Sequence, residues 1–165
     1  MEQSTAGVRV GKSKFGRGVF ARRLYRAGDV IGEITGEVMD DPDYGSDFCM
    51  DLGDNLTLEP AYPFRYLNHS CQPNCEIVQW QSEGDEIEAD GRLWLHVLRA
   101  IRRGEELTID YAWPADVAIP CRCRSRYCRG WIVAADQIHQ LQVSRVAGLD
   151  RAGDYWQDRA VGSEV

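Results

Sequence analysis

The stretch Arg65-Tyr66-Leu67-Asn68-His69-Ser70-Cys71-Gln72-Pro73-Asn74-Cys75 concentrates two thiols, an imidazole and three side-chain amides within eleven residues. Pro60, Pro63 and Pro73 leave no room for a regular element across 59–75, since proline removes a donor and fixes φ. Yet Tyr62, Phe64, Tyr66 and Leu67 are residues that fill cores. A connecting segment with core-forming side chains and this density of hydrogen-bonding groups is where function is to be sought.

On both sides of it the chain reads as short strands. Gly7 to Val10 and Gly18 to Leu24 flank a Gly/Lys/Ser loop, and Ala27-Gly28-Asp29 is a turn. Val30 to Met39 alternates apolar and polar residues. Asp40 to Asp47 is an acidic loop, and Phe48 to Leu52 with Leu56 to Leu58 makes a hairpin across Gly53-Asp54-Asn55. Downstream, Glu76 to Trp80 and Leu93 to Ala100 are strands separated by the acidic turn Ser82 to Asp90, and Glu106 to Tyr111 is one more. Helical apolar periodicity is missing before Ala134, which argues against a doubly wound α/β domain. Ile138, Leu141, Val143 and Val146 fit one amphipathic helix in a polar tail. The fold class is mainly β.

At 165 residues, 44% hydrophobic and 27% charged, the chain is a domain that buries roughly 70% of its unfolded surface. Its longest apolar run, Trp131 to Ala135, is far short of the about twenty residues of a spanning helix, and residues 1–30 lack a signal-peptide core. Membrane insertion and secretion are not expected, so the setting is intracellular, cytoplasmic in a bacterium or nuclear in a eukaryotic or viral context. The balance of 19 Lys+Arg against 26 Asp+Glu gives a net charge of −7. That sign favours a basic protein or peptide as partner, and no direct nucleic-acid binding is expected. Removing Lys12 and Lys14 from the 19 leaves 17 Arg, a skew read as compositional.

Six cysteines in an intracellular chain point to metal before disulfides. Cys121-Arg-Cys123-Arg-Ser-Arg-Tyr-Cys128 places three thiols in eight residues, and tetrahedral zinc takes four. Cys71 or Cys75 would supply the fourth, clipping a distant loop to the C-terminal segment. Gly16-Arg17-Gly18 would let a ligand approach the backbone, but the spacing and the missing helix exclude a dinucleotide fingerprint.

Three separated strings share one family's pattern: Phe15-Gly16-Arg17-Gly18-Val19-Phe20, Asn68-His69-Ser70-Cys71 with its flanks, and Gly104-Glu105-Glu106-Leu107-Thr108-Ile109-Asp110-Tyr111. The chain resembles the SET-domain protein lysine methyltransferases, and Cys121 to Trp131 is similar to their post-SET zinc segment. The resemblance covers residues 7 to about 133. It implies several small curled sheets with a knot-like C-terminal threading, a catalytic domain over 1–117, a zinc-binding segment over 118–135 and a tail over 136–165.

By the same resemblance, S-adenosylmethionine is expected on Gly16, Arg17 and Gly18 and against Asn68 and His69, with Trp131 covering its adenine. Zinc is expected on Cys71, Cys121, Cys123 and Cys128, leaving Cys49 and Cys75 as ordinary thiols. Tyr111 is the expected catalytic residue, brought beside Asn68. Phe48, where a channel tyrosine is common, and Ile109, where a tyrosine tends to limit methylation, are expected to line a lysine channel roomy enough for more than one methyl group. Ile34 likewise stands where many members have tyrosine. The substrate implied is a lysine in a basic protein, a histone-like tail or another. A catalytically silent module that keeps the fold and the zinc and merely binds a basic peptide is the alternative.

Overall fold

A computed structural model describes residues 7–79 and 92–141. The strands follow from period-2 alternation: in β9 (Leu93–Val97) the first, third and fifth residues are buried and the two between are half-buried. In β10 (Glu106–Ile109), Leu107 and Ile109 are buried in the same way. The chain forms two units. The first runs to His69 and resumes over Pro73–Ile109; the second comprises Ser70–Gln72 and the chain from Asp110 onward.

Among the described residues the first unit holds three small sheets. β1 (Val8–Ser13) and β2 (Gly16–Ala21) pair antiparallel over six positions, from Val8 opposite Ala21 to Ser13 opposite Gly16. On its other edge β2 pairs with β10, which pairs in parallel with the two-residue β7 (Asn68–His69). The second sheet sets β9 between β3 (Val30–Ile34) and β8 (Cys75–Gln79); the third sets β6 (Leu56–Pro60) between β4 (Gly36–Asp40) and β5 (Met50–Gly53). Val19, Tyr25, Ile34, Leu58, Leu95, Ile101 and Leu107 are buried in this unit.

The expected hairpin forms between β5 and β6. Asp54 and Asn55 both take positive φ (52° and 63°), the left-handed pair that a two-residue type I′ turn requires and that Asp and Asn tolerate. Elsewhere the chain departs from expectation. Strand β1 runs on to Ser13, and Gly16-Arg17-Gly18 lies within β2, because backbone pairing with β1 overrides the poor strand propensity of glycine. Residues 59–75, expected to lack regular elements, contain a 3-10 turn at Phe64–Tyr66 and then β7. Phe64 and Leu67 are buried as expected, whereas Tyr62 is 64% exposed, the inner side of the turn being filled by Pro63 and Phe64.

The second unit contains β11 (Ile119–Pro120) and β12 (Trp131–Ile132), paired antiparallel, a 3-10 turn at Ala115–Val117 and a helical turn at 138–141. The rest of the expected tail helix, Trp80 and the acidic turn Ser82 to Asp90 lie outside the described residues.

Candidate active-site and metal-binding residues

In the first unit the side chain of Asn68 occupies a hub. Its amide nitrogen donates to the backbone carbonyl of Arg17 at 2.9 Å, to Glu106 Oε1 at 2.7 Å and to Ser13 Oγ at 3.3 Å, two protons shared among three acceptors. The parallel pairing of Thr108 with Asn68 and of Ile109 with His69 aims it there. Gly18 is required by the same cluster: a Cβ at this position would collide with Glu106 Oε1 and come within 3.1 Å of the Asn68 amide. Gly16 is glycine for a different reason, its φ of +98° with open space around the position.

The other expected residues of this unit divide into two groups. His69 and Ile109 are buried on neighbouring strands. Phe48 meets Tyr66 edge-on at 6.2 Å, with the Arg65 guanidinium 4.6 Å above the Phe48 ring. Arg17 lies over Tyr66 and donates to its hydroxyl at 3.1 Å, so its charge is directed to an aromatic ring while its carbonyl serves Asn68.

Sequence reasoning missed Asn74, which is 1% exposed. Its amide nitrogen donates to the Glu106 carbonyl and its oxygen accepts from the Thr108 backbone N–H, both at 2.8 Å. One side chain thus imitates a strand neighbour for β10 and holds the strand that pairs with Asn68. A single asparagine between proline and cysteine carries no local signal of that role.

In the second unit three of the four expected sulfurs cluster. Cys71, Cys121 and Cys123 have their Sγ atoms within 4.8 Å of one another, the first two 3.7 Å apart, and Cys128 belongs to the same unit. Backbone N–H groups point at the sulfurs, Cys123 N–H to Cys121 Sγ at 3.4 Å and Gly130 N–H to Cys128 Sγ at 3.5 Å. Burial pushes the Cys71 and Cys121 thiols up. For Cys123 burial acts in the same direction but is outweighed by hydrogen bonds, chiefly from Ser125, which bring it down to about 6. Protons are therefore divided unequally among thiols too close to ionise together, a conflict that a dication relieves by stabilising all the thiolates. Clustered thiols with amide support are compatible with zinc, for which Cys71, Cys121, Cys123 and Cys128 are the expected ligands. Cys75 belongs to the first unit; it is fully buried and pushed up to about 12 by that burial, an inert thiol.

The second unit also holds Tyr111, tilted against Trp113 at 5.5 Å, and Trp131, whose carbonyl faces Cys71 Sγ. Asp110 and Arg129 form a two-pronged ion pair, another feature that single residues in the sequence did not signal.

The family profile described as "SET domain" matches residues 16–112, more than half of the 165. The chain belongs to the SET-domain family. This SET domain is 32% identical over 140 residues to the histone-lysine N-methyltransferase ash1 of Drosophila melanogaster, covering 74% of this chain and 6% of the fly protein. It is 33% identical over 135 residues to histone-lysine N-methyltransferase 2B of Homo sapiens, covering 71% of this chain and 5% of the human protein. The SET domain thus spans only about a twentieth of the length of these relatives. The crystal structure of KRYPTONITE in complex with mCHG DNA and SAH superposes with a TM-score of 0.66 at 24% identity, over 76% of this chain and 28% of that one, which shows a common fold. Among the described residues no helix of the SET domain is long and apolar enough to cross a membrane.

Proposed function

We propose that this SET domain transfers the methyl group of S-adenosylmethionine to the side-chain amine of lysine in a basic protein tail. The carrying observation is the fixed Asn68 amide, set among Gly18, Ser13 and Glu106 on the strand paired with β10, in a chain whose relatives are named histone-lysine methyltransferases. S-adenosylmethionine supplies a methyl carbon activated by a sulfonium. Gly16 leaves backbone open to a ligand, Gly18 makes room for the Asn68 cluster, Asn68 and His69 are the candidate polar contacts, Arg17 flanks them, and Trp131 is the candidate cover for the adenine.

The reaction is an in-line displacement. The neutral lysine nitrogen attacks the methyl carbon, the carbon–sulfur bond breaks with its electron pair leaving on sulfur, and the product ammonium releases a proton to water. With a free pKa near 10.4, only about one lysine amine in two thousand is neutral at pH 7, so an apolar channel that disfavours the ammonium contributes directly to rate. Ile109 and Phe48 are the candidate walls of that channel. Tyr111 orients the amine through its hydroxyl and places an oxygen near the polarised methyl hydrogens, a matter of alignment more than of base strength.

Net charge and the loop Asp40 to Asp47 support a basic substrate such as a histone-like tail. Relatives named histone-lysine methyltransferases support an intracellular site of action, nuclear where the host has a nucleus. The test is transfer of labelled methyl from S-adenosylmethionine to a histone mixture and a basic-protein extract, with Tyr111→Phe in parallel. Lysine labelling that falls at least tenfold in the variant is the expected result. Zinc-loaded protein that binds such tails but labels none would replace the enzyme with the silent module, and equal labelling by both forms would remove Tyr111 from its role.

A further inference from the structure

Net charge hides a local reversal. At one end of the β1-β2-β10 sheet, three neighbouring segments each present an arginine: Arg9 within β1, Arg22 just past β2 and Arg103 just ahead of β10. Their backbones are tied together. Arg9 pairs with Phe20, the Arg22 N–H donates to the Gly7 carbonyl at 2.9 Å, and the Gly104 N–H donates to the Ala21 carbonyl at 2.7 Å. A depression here is lined by Arg9, Ala21, Arg22, Arg103 and Gly104, three exposed guanidinium side chains and two residues with almost no side chain.

The carboxylates nearest in sequence are engaged elsewhere. Asp29 accepts from the Arg26 backbone, Glu105 pairs with Arg99 at 2.7 Å, and Glu106 accepts from Asn68. The Arg9 guanidinium stacks over the Phe20 ring at 4.9 Å, which restrains its plane. Three like charges gathered with no lining acid repel one another and are relieved by an anion with several oxygens.

We infer that this cleft binds the phosphodiester backbone of a nucleic acid. An acidic protein surface is a poorer fit, because protein interfaces need an apolar centre, and beside the arginines the lining offers only Ala21 and Gly104. Contacts made to phosphate oxygens carry no sequence information, so the affinity assigned to this cleft is independent of sequence. Basic tails of the proposed substrate class associate with phosphate by charge, so a cleft of this kind would keep the protein where such tails lie. The inference stands whether or not the chain transfers methyl groups.

The experiment measures anisotropy of a labelled, random-sequence duplex of about 20 base pairs against zinc-loaded full chain over a salt series, with a poly-glutamate peptide of equal charge as the competing polyanion. Arg9→Gln/Arg22→Gln/Arg103→Gln is expected to weaken binding at least tenfold at low salt and to flatten the log–log salt slope by about 3, while the thermal melt stays cooperative. Arg22→Gln and Arg103→Gln alone, each expected to lower the slope by about 1, decide the matter if the triple variant does not fold. Absence of duplex binding, binding unchanged in the variants, or tighter binding of poly-glutamate than of the duplex overturns the assignment.

Discussion

Asp110 grips Arg129 through two hydrogen bonds of 2.7 Å, each carboxylate oxygen accepting from a different terminal nitrogen of the guanidinium. The residue before Tyr111 is thereby fastened to the residue after Cys128. Parallel N–H···O bonds fix orientation as well as distance, which a lysine cannot reproduce. With side chains 16% and 27% exposed, the pair lies between surface and interior. Arg129→Met is expected to cost about 1–2 kcal/mol in urea unfolding, and Arg129→Lys to recover only part of it. If the pair also steadies Tyr111, methyl transfer by Arg129→Lys will lose kcat while KM for the peptide holds.

Asn74 is the most vulnerable buried polar residue of the first unit. Asn74→Ala strands the Thr108 N–H and the Glu106 carbonyl, and about 2–4 kcal/mol of stability should go with them. Asn74→Asp retains the acceptor but loses the donor and should fall between. Denaturant midpoints at constant slope would measure both.

Metal content separates zinc from incidental thiols. One zinc per chain is expected by elemental analysis, and Cys123→Ser should fall well below that. Because Cys71 and Cys121 lie 50 residues apart, releasing the clip should cost several kcal/mol. Chelator treatment of the unmutated protein should lower its melting temperature to the same degree.

Glu105 gives a pH signature. Burial acts to raise its pKa, but the Arg102 backbone N–H, the hydrogen bond and charge of Arg99 and the Asn74 amide together hold it below its ordinary 4.5. A carboxylate whose folded pKa is depressed stabilises the fold above 4.5 and stops doing so as pH falls through the lower folded value. The stability gap between the parent and Glu105→Gln should therefore be full at pH 6 and close as the pH drops below 4.5, as read by urea midpoints across pH.

Ile109 is the residue proposed to set the number of methyl groups. The parent is expected to yield di- or trimethyl-lysine, Ile109→Val the same, and Ile109→Tyr mainly the monomethyl product, as resolved by mass spectrometry of a peptide substrate. A parent enzyme that stops after one methyl on every good substrate would contradict the channel assigned to this residue.

The parts of the fold legible in the sequence are those whose signals are local. Asp54-Asn55 between alternating strands specified a hairpin, and the alternation in Leu93 to Val97 specified β9. The three clustered cysteines pointed to thiols that gather, as Cys121 and Cys123 do with Cys71, and the Asn68 to Cys71 and Glu106 to Tyr111 strings carried the family. What stayed hidden depends on distant partners. Gly16-Arg17-Gly18 is strand because β1 pairs with it, and β7 is two residues long and is defined by its pairing with β10. Neither Asn74 nor the Asp110–Arg129 pair leaves a trace in its own neighbourhood, and net charge averaged away the three arginines at the end of the sheet.

Strand β7 makes only two ladder pairings, yet it decides which way Asn68 faces. A slip of one position would turn Asn68 and His69 to opposite sides and leave the Gly18 notch without its amide. On the proposed function, affinity for the methyl donor becomes a gauge of whether two segments far apart in the chain have met in the correct alignment, and a donor analogue added during refolding would select the molecules that found it.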